Sequence, residues 1–103
     1  MKSDRILVCI KNPGADPYVD VVENSMETFQ QLVGGYIESY TIASDLTLLC
    51  NEEGLLMGLP YNANIAGNKF VGPVVAVGIK GENFCAVPAA SVPFILRILR
   101  GSV

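Results

Sequence analysis

The run of residues 70–79 (FVGPVVAVGI) constrains the fold most, because it is the most β-like run in the chain. Valine-rich runs of this kind are typical of strands in a buried sheet. Pro73 has no N–H to donate to a ladder, so we expect it at the start of the strand or in a bulge. Residues 80–83 are a predicted turn, and residues 84–87 are the predicted returning strand. The chain is therefore expected to build an antiparallel sheet.

Other short runs are predicted to be strands by their apolar and β-branched residues. They span residues 5–10, 18–23, 36–42, 46–50 and 55–58. The first two are expected to pair across Asn12-Pro13-Gly14. Residues 47–57 are expected to form a second hairpin, with its turn at residues 51–54. Residues 59–69 follow no period, which predicts an ordered loop or a short helical turn.

Two helices are predicted from caps and apolar stripes. The first begins at an Asn24 N-cap, with Glu27 completing a capping box, and ends at Gly34. The second is capped by Ser91, has Pro93 in its first turn and ends at Gly101. The predicted order is β-β-α-β-β-β-β-β-α, an α+β domain with a mainly antiparallel sheet and both helices on one face. A length of 103 residues suits one domain, which we expect to span residues 1–103.

The composition excludes several classes of function. The net charge is −3 and Lys and Arg are not clustered, so we expect no nucleic-acid partner. The chain has no histidine and no CxxC pair, so we predict no metal site and no activated cysteine nucleophile. The three cysteines lie inside apolar runs, which is typical of free buried thiols in a reducing cytosol. We find no signal peptide and no run that could span a bilayer, so we expect a cytoplasmic protein with no membrane partner.

The segment from residue 47 to residue 64 (TLLCNEEGLLMGLPYNAN) is the stretch around which the chain is organised, and it carries the candidate binding residues. An apolar shoulder, Leu59-Pro60-Tyr61, adjoins amide side chains that can both donate and accept hydrogen bonds. A few polar groups on an apolar wall are typical of a pocket or a protein contact. Alternatively, the asparagines satisfy only the backbone of the loop. The predicted ligand-binding residues are Asn51, Glu52, Asn62 and Asn64, with Tyr61 as a stacking platform and Lys11 or Lys69 for a phosphate.

Other features leave further functions open. Glu52 and Glu53 are adjacent, so they either point to opposite faces of a strand or both reach solvent in a turn. Acid–base catalysis needs carboxylates that converge in different environments, so we predict no catalytic residue. We also predict no cofactor. A small hydrolase that uses Glu52 or Glu53 with a divalent ion is the alternative. Phe94 and Ile98 widen the apolar stripe of the last helix, which favours a homodimer contact through that helix as a further alternative.

Four motifs together resemble one known family. They are N-E-E-G and G-L-P-x-N within residues 51–62, L-V-G-G-Y-I-E before them and V-G-P-V-V-A-V-G after them. This pattern is similar to a family of small uncharacterised domains, domain of unknown function 3846, encoded by bacteria, phages and mobile elements. The resemblance implies one compact α+β domain in a bacterial or phage cytoplasm and supplies no catalytic residues. The final PFILRILRG is more apolar than the resemblance leads us to expect, which favours self-association.

We therefore expect a binding protein rather than an enzyme, encoded by a bacterium, a phage or a mobile element. It would occupy a host protein or sequester a small nucleotide-like ligand. The metal-dependent hydrolase and a structural homodimer built on the last helix are the alternatives.

Overall fold

A β-sheet with three central strands organises the fold. The computed structural model describes residues 4–101. The strands are β1 (Arg5–Lys11), β2 (Tyr18–Glu23), β3 (Ile37–Ala43), β4 (Leu46–Asn51), β5 (Tyr61–Ile65), β6 (Asn68–Val71), β7 (Val74–Lys80) and β8 (Asn83–Cys85). The helices are α1 (Met26–Val33) and α2 (Val92–Arg100), the second preceded by a 3₁₀ turn at Ala89–Ser91. This confirms the α+β class, with one more strand than predicted within the described residues.

The main sheet has the order β2-β1-β7-β4-β3, and β8 pairs with the far end of β7. Strands β5 and β6 form a separate two-stranded sheet. Every pairing between these strands is antiparallel. The predicted hairpins β1–β2 and β7–β8 are confirmed, and β3 and β2 are the two edges of the main sheet.

The two helices lie on opposite faces of the main sheet, so the prediction that both pack on one face is wrong. Phe29 and Val33 of α1 pack against a core that includes Val8 and Val75. A second core, on the other face, joins α2 to the sheet and to the β5–β6 hairpin. The reason is in the strands: β1, β4 and β7 are nearly continuous apolar runs, and such a strand needs cover on both faces.

Helix α1 begins one residue later than predicted. Ser25 is its N-cap, and the Ser25 hydroxyl accepts a hydrogen bond from the Thr28 N–H at 3.1 Å. The Asn24 side chain instead donates to the Phe84 carbonyl at 2.9 Å, which links the start of the helix to β8. Gly34 ends the helix in the left-handed region, as predicted, with φ 81°.

Residues 55–58 are not a strand, so the predicted hairpin within residues 47–57 is wrong. Strand β4 already pairs with β3 on one edge and β7 on the other, which leaves no edge for a third partner. Residues 52–60 instead form a coiled loop. In this loop the Met57 N–H donates to the Glu53 carbonyl at 2.9 Å and the Leu59 N–H to the Gly54 carbonyl at 3.0 Å.

The hairpin β5–β6 spans residues 61–71 and replaces most of the loop that the sequence predicts at residues 59–69. Its two-residue turn has Ala66 at φ 52° and Gly67 at φ 80°, and positive φ at both central positions suits the twist of a hairpin. The long run 70–79 is broken at Gly72, whose φ is 72°, and Pro73 then precedes β7, as the missing N–H of proline predicts.

Helix α2 follows the prediction closely. It begins after Ser91, has Pro93 in its first turn and ends at Gly101. Ile95 and Leu99 are buried, while Phe94 is 58% exposed. Of the helices in residues 4–101, neither has the length and hydropathy needed to cross a membrane.

Candidate binding cleft

A cleft of about 350 Å³ lies between β3, the end of β4, the loop 52–60 and β6. A volume of this order can take a small molecule or a few side chains of a partner. Its lining residues are Glu38, Tyr40, Cys50, Asn51, Glu52, Glu53, Gly54, Leu55, Leu56, Lys69, Phe70 and Val71. The site is built where two sheets meet: β3 and β4 supply one wall, and β6 supplies the other.

The cleft has an aromatic wall and a negative rim. Tyr40 of β3 and Phe70 of β6 meet edge to face, with ring centroids 5.2 Å apart. The charged side chains that line the cleft are three carboxylates, those of Glu38, Glu52 and Glu53, and one ammonium, that of Lys69. The cleft therefore favours a cationic group over an anion.

The negative charge of Glu38 acts on its neighbours. It is the main cause that raises the pKa of the Tyr40 hydroxyl, and burial adds to it. The pKa of the Cys50 thiol is raised to about 11, first by burial and then by Glu38. The Cys50 thiol is thus protonated at neutral pH, which makes it a poor nucleophile.

Asn51 anchors the loop that borders the cleft. It is buried, its side-chain amide donates to the Val33 carbonyl at 3.1 Å, and its side-chain oxygen accepts from the Glu53 N–H at 2.8 Å. These bonds join the end of α1 to the start of the loop. Asn51 therefore positions Glu52 and Glu53, and its own amide group is already satisfied.

Lys11 and Asn62 form a buried pair away from the cleft lining. The Lys11 ammonium donates to the side-chain oxygen of Asn62 at 3.0 Å. The Asn62 amide donates to the carbonyls of Lys11 and Gly72, at 2.8 Å and 2.7 Å. The pair ties the β5–β6 hairpin to β1, so both residues have structural contacts where a ligand was predicted.

The predicted binding residues are thus divided among several places. Asn51, Glu52 and Lys69 line the cleft. Tyr61 is 53% exposed at the start of β5, and Asn64 lines a shallower depression with Arg97 and Gly101. Contact of any of the seven with a ligand stays a prediction.

Sequence reasoning missed the side chains that give the cleft its chemistry. Glu38 and Tyr40 reach it because β3 pairs with β4 in a register that places them beside Cys50 and Leu48. Leu55 and Leu56 lie in the predicted strand 55–58, but in the structure they belong to the loop and are 76% and 88% exposed. The signal for them was an apolar triplet, Leu55-Leu56-Met57, set between two glycines, where a loop is more natural than a strand.

Within residues 4–101, no group of three or more His, Cys, Asp or Glu side chains is placed to hold a metal ion. A hydrolase that uses Glu52 or Glu53 with a divalent ion stays a prediction, and the described residues offer no set of side chains that would bind this ion.

Comparison with known proteins gives one result. The family model described as a domain of unknown function (DUF3846) matches residues 5–98. This confirms the resemblance inferred from the motifs. No curated protein and no solved structure matches the chain.

Proposed function

We propose that this chain, which belongs to the DUF3846 family, is a non-enzymatic module that binds a protein through the cleft and the loop 52–60. One observation carries the proposal: Leu55, Leu56 and Met57, three consecutive large apolar residues, are 76%, 88% and 54% exposed. Contiguous apolar groups of this kind on an otherwise well-packed domain are typical of interaction sites.

The loop is ordered in the conformation that exposes these side chains. Backbone hydrogen bonds coil it, and Asn51 fixes its first residues. Tyr36, which is 69% exposed, is joined to it because the Glu52 N–H donates to the Tyr36 carbonyl at 2.8 Å. A preformed apolar surface loses little conformational entropy on binding, which supports a role in recognition.

The charges of the cleft favour a partner with basic side chains. Glu38, Glu52 and Glu53 surround one lysine, Lys69. A Lys or Arg of a partner would be attracted there, while the apolar part of the partner would cover Leu56. In this proposal the partner is a host protein in the cytoplasm of a bacterium, and the chain is encoded by that bacterium, a phage or a mobile element.

A small nucleotide-like ligand has less support. Its phosphates would face the same carboxylates, and the ammonium of Lys11 is engaged with Asn62 at 3.0 Å. Thermal-shift measurements with nucleotides test this ligand class directly, and stabilisation by a nucleotide at micromolar concentration would favour it over a protein partner.

A homodimer through α2 rests on a different observation. Phe94 is 58% exposed beside an apolar groove of about 210 Å³ lined by Ile42, Leu46, Ile65 and Ile98. Light scattering of the wild type and of Phe94→Ser tests it. A dimer that becomes a monomer in the variant supports the contact, and a monomeric wild type removes it.

The protein-binding role is tested by affinity capture from the source cell. The wild type, Leu56→Ser and the control Met26→Ser serve as baits, because Met26 is also exposed, at 52%, but lies on α1. We expect a protein that is retained by the wild type and the control, is lost with Leu56→Ser, and binds again when purified. If every captured protein is retained by Leu56→Ser, the proposal is wrong.

A further inference from the structure

We propose that the partner binds as an extended peptide segment added to the free edge of β3, with basic side chains over the cleft. This inference rests on the proposed function and names its binding mode. Strand addition of this kind uses the unpaired backbone groups of a sheet edge for affinity and the neighbouring side chains for specificity.

The outward backbone groups of β3 follow from its register. Tyr36 and Glu52 are opposite each other, and the Glu52 N–H donates to the Tyr36 carbonyl at 2.8 Å. Bonded and non-bonded pairs alternate along an antiparallel ladder. The pairs Ile37–Asn51, Ser39–Leu49 and Thr41–Thr47 are therefore the non-bonded ones. The N–H and C=O groups of Ile37, Ser39 and Thr41 consequently point away from β4.

The two edges of the main sheet differ in how these groups are satisfied. On β2, the Val21 N–H donates to the Asp20 carboxylate at 2.8 Å, and the Arg5 guanidinium donates to the Val21 carbonyl at 2.8 Å. Side chains thus occupy both outward backbone groups of Val21 in the middle of that edge, a common protection of edge strands. Within residues 4–101, no side-chain or loop hydrogen bond reaches the outward groups of Ile37, Ser39 and Thr41.

The charge of the cleft selects the occupant of the β3 edge. Glu38 and Tyr40 lie on the cleft face, since they pair with Cys50 and Leu48. A strand added beside β3 would place every second side chain on that face, within about 5.5 Å of its neighbour on β3. A Lys or Arg of the added strand on that face would lie close to Glu38 and would be attracted by the negative rim of the cleft. A second copy of the chain would bring another Glu38 to the same place, so a basic peptide is the better match.

The test uses a phage-displayed library of random nine-residue peptides, selected on the immobilised protein. Three targets are compared: the wild type, Ser39→Pro and Val19→Pro. Proline at position 39 removes an outward N–H of β3 and leaves the β3–β4 ladder bonds intact. Proline at position 19 makes the matching change on the outer edge of β2.

We expect the wild type and Val19→Pro to select peptides with Lys or Arg at alternate positions. A selected peptide, made synthetically, should bind Ser39→Pro about tenfold more weakly, which corresponds to the loss of one backbone hydrogen bond. N-methylation of alternate peptide amides should weaken binding to the wild type similarly. Bound peptide should slow hydrogen exchange at the amides of Ile37, Ser39 and Thr41. The N-methylated peptide keeps the test decisive even if Ser39→Pro fails to fold.

Four results would overturn the inference. They are the absence of any selected peptide, a consensus without basic residues, equal affinity for the N-methylated and unmodified peptides, and a wild-type dimer that Ser39→Pro dissociates. The last would identify a second copy as the occupant. If capture of the cellular partner is lost with Leu56→Ser but kept with a folded Ser39→Pro, only strand addition is wrong. If both variants keep every captured protein, the proposed function is wrong as well.

Discussion

The Lys11 ammonium donates to the Asn62 side-chain oxygen at 3.0 Å, and the Asn62 amide donates back to the Lys11 carbonyl at 2.8 Å. Both residues are buried, with exposed fractions of 7% and 8%. This reciprocal pair fastens a strand of the small hairpin to a strand of the main sheet. Asn62 therefore stabilises the fold, so we expect that substitution of Asn62 changes the stability of the protein first.

We predict that Asn62→Ala lowers the free energy of unfolding by about 2–4 kcal/mol, because a buried ammonium and two carbonyls lose their partner. Urea unfolding followed by circular dichroism measures this. The control is Asn68→Ala at the exposed start of β6, which should change stability by less than about 0.5 kcal/mol. Equal stability of the two variants would contradict a structural role for the pair.

The two serines that precede helices should differ in importance. The Ser25 hydroxyl accepts from the Thr28 N–H at 3.1 Å, whereas the Ser91 side chain makes no cap hydrogen bond within the described part of the chain. Ser25→Ala should cost about 1 kcal/mol and Ser91→Ala only a few tenths, since only the first removes a bonded cap. Thermal or urea unfolding of the two variants separates these values, and a larger loss for Ser91→Ala would contradict the assignment.

Local patterns predict much of this fold because apolar runs and caps depend on neighbouring residues. Both helices and the strands β1, β2, β3, β4, β7 and β8 are predictable in this way. The hairpin β5–β6 is not, since Asn62 and Asn64 are loop residues by propensity. Asn62 is held in β5 by bonds to Lys11 and Gly72, at sequence separations of 51 and 10 residues. Long-range contacts of this kind override propensity.

The candidate site was predictable only where it adjoins a predicted strand. Asn51 is the last residue of β4 and Glu52 follows it directly, so their approach to the cleft depends on one element. Glu38 and Tyr40 depend on the register of β3 against β4, which is shifted by a bulge between Thr41 and Ala43 that the sequence pattern does not indicate. The loop 52–60 required the knowledge that β4 already has two neighbours.

The buried thiols make stability depend on pH in the alkaline range. The pKa values of Cys9 and Cys50 are each raised from 9.0 to about 11, chiefly by burial. The unfolded chain therefore loses these protons first as the pH rises, so stability is full below pH 9 and falls between pH 9 and 11. The loss should be about 1.4 kcal/mol per pH unit for each thiol.

Urea unfolding at a series of pH values from 8 to 10.5 measures this loss, with Cys9→Ala as the comparison. The variant starts less stable but should show a shallower slope, because one of the two titrating thiols is gone. A slope unchanged by the substitution would contradict the contribution of Cys9. In the native protein a thiol reagent should modify Cys85 first, since it alone of the three is not fully buried.

A substitution in the exposed loop should disrupt its binding surface and leave the fold intact. Leu56 is 88% exposed, so Leu56→Ser should change the free energy of unfolding by less than about 0.5 kcal/mol. Leu99 of α2 is fully buried, and Leu99→Ala should cost about 2–5 kcal/mol through lost packing and the cavity left behind. Urea unfolding of both variants tests the contrast. A large loss with Leu56→Ser would show that its side chain packs in the fold, and the exposure on which the proposed partner contact depends would then be wrong.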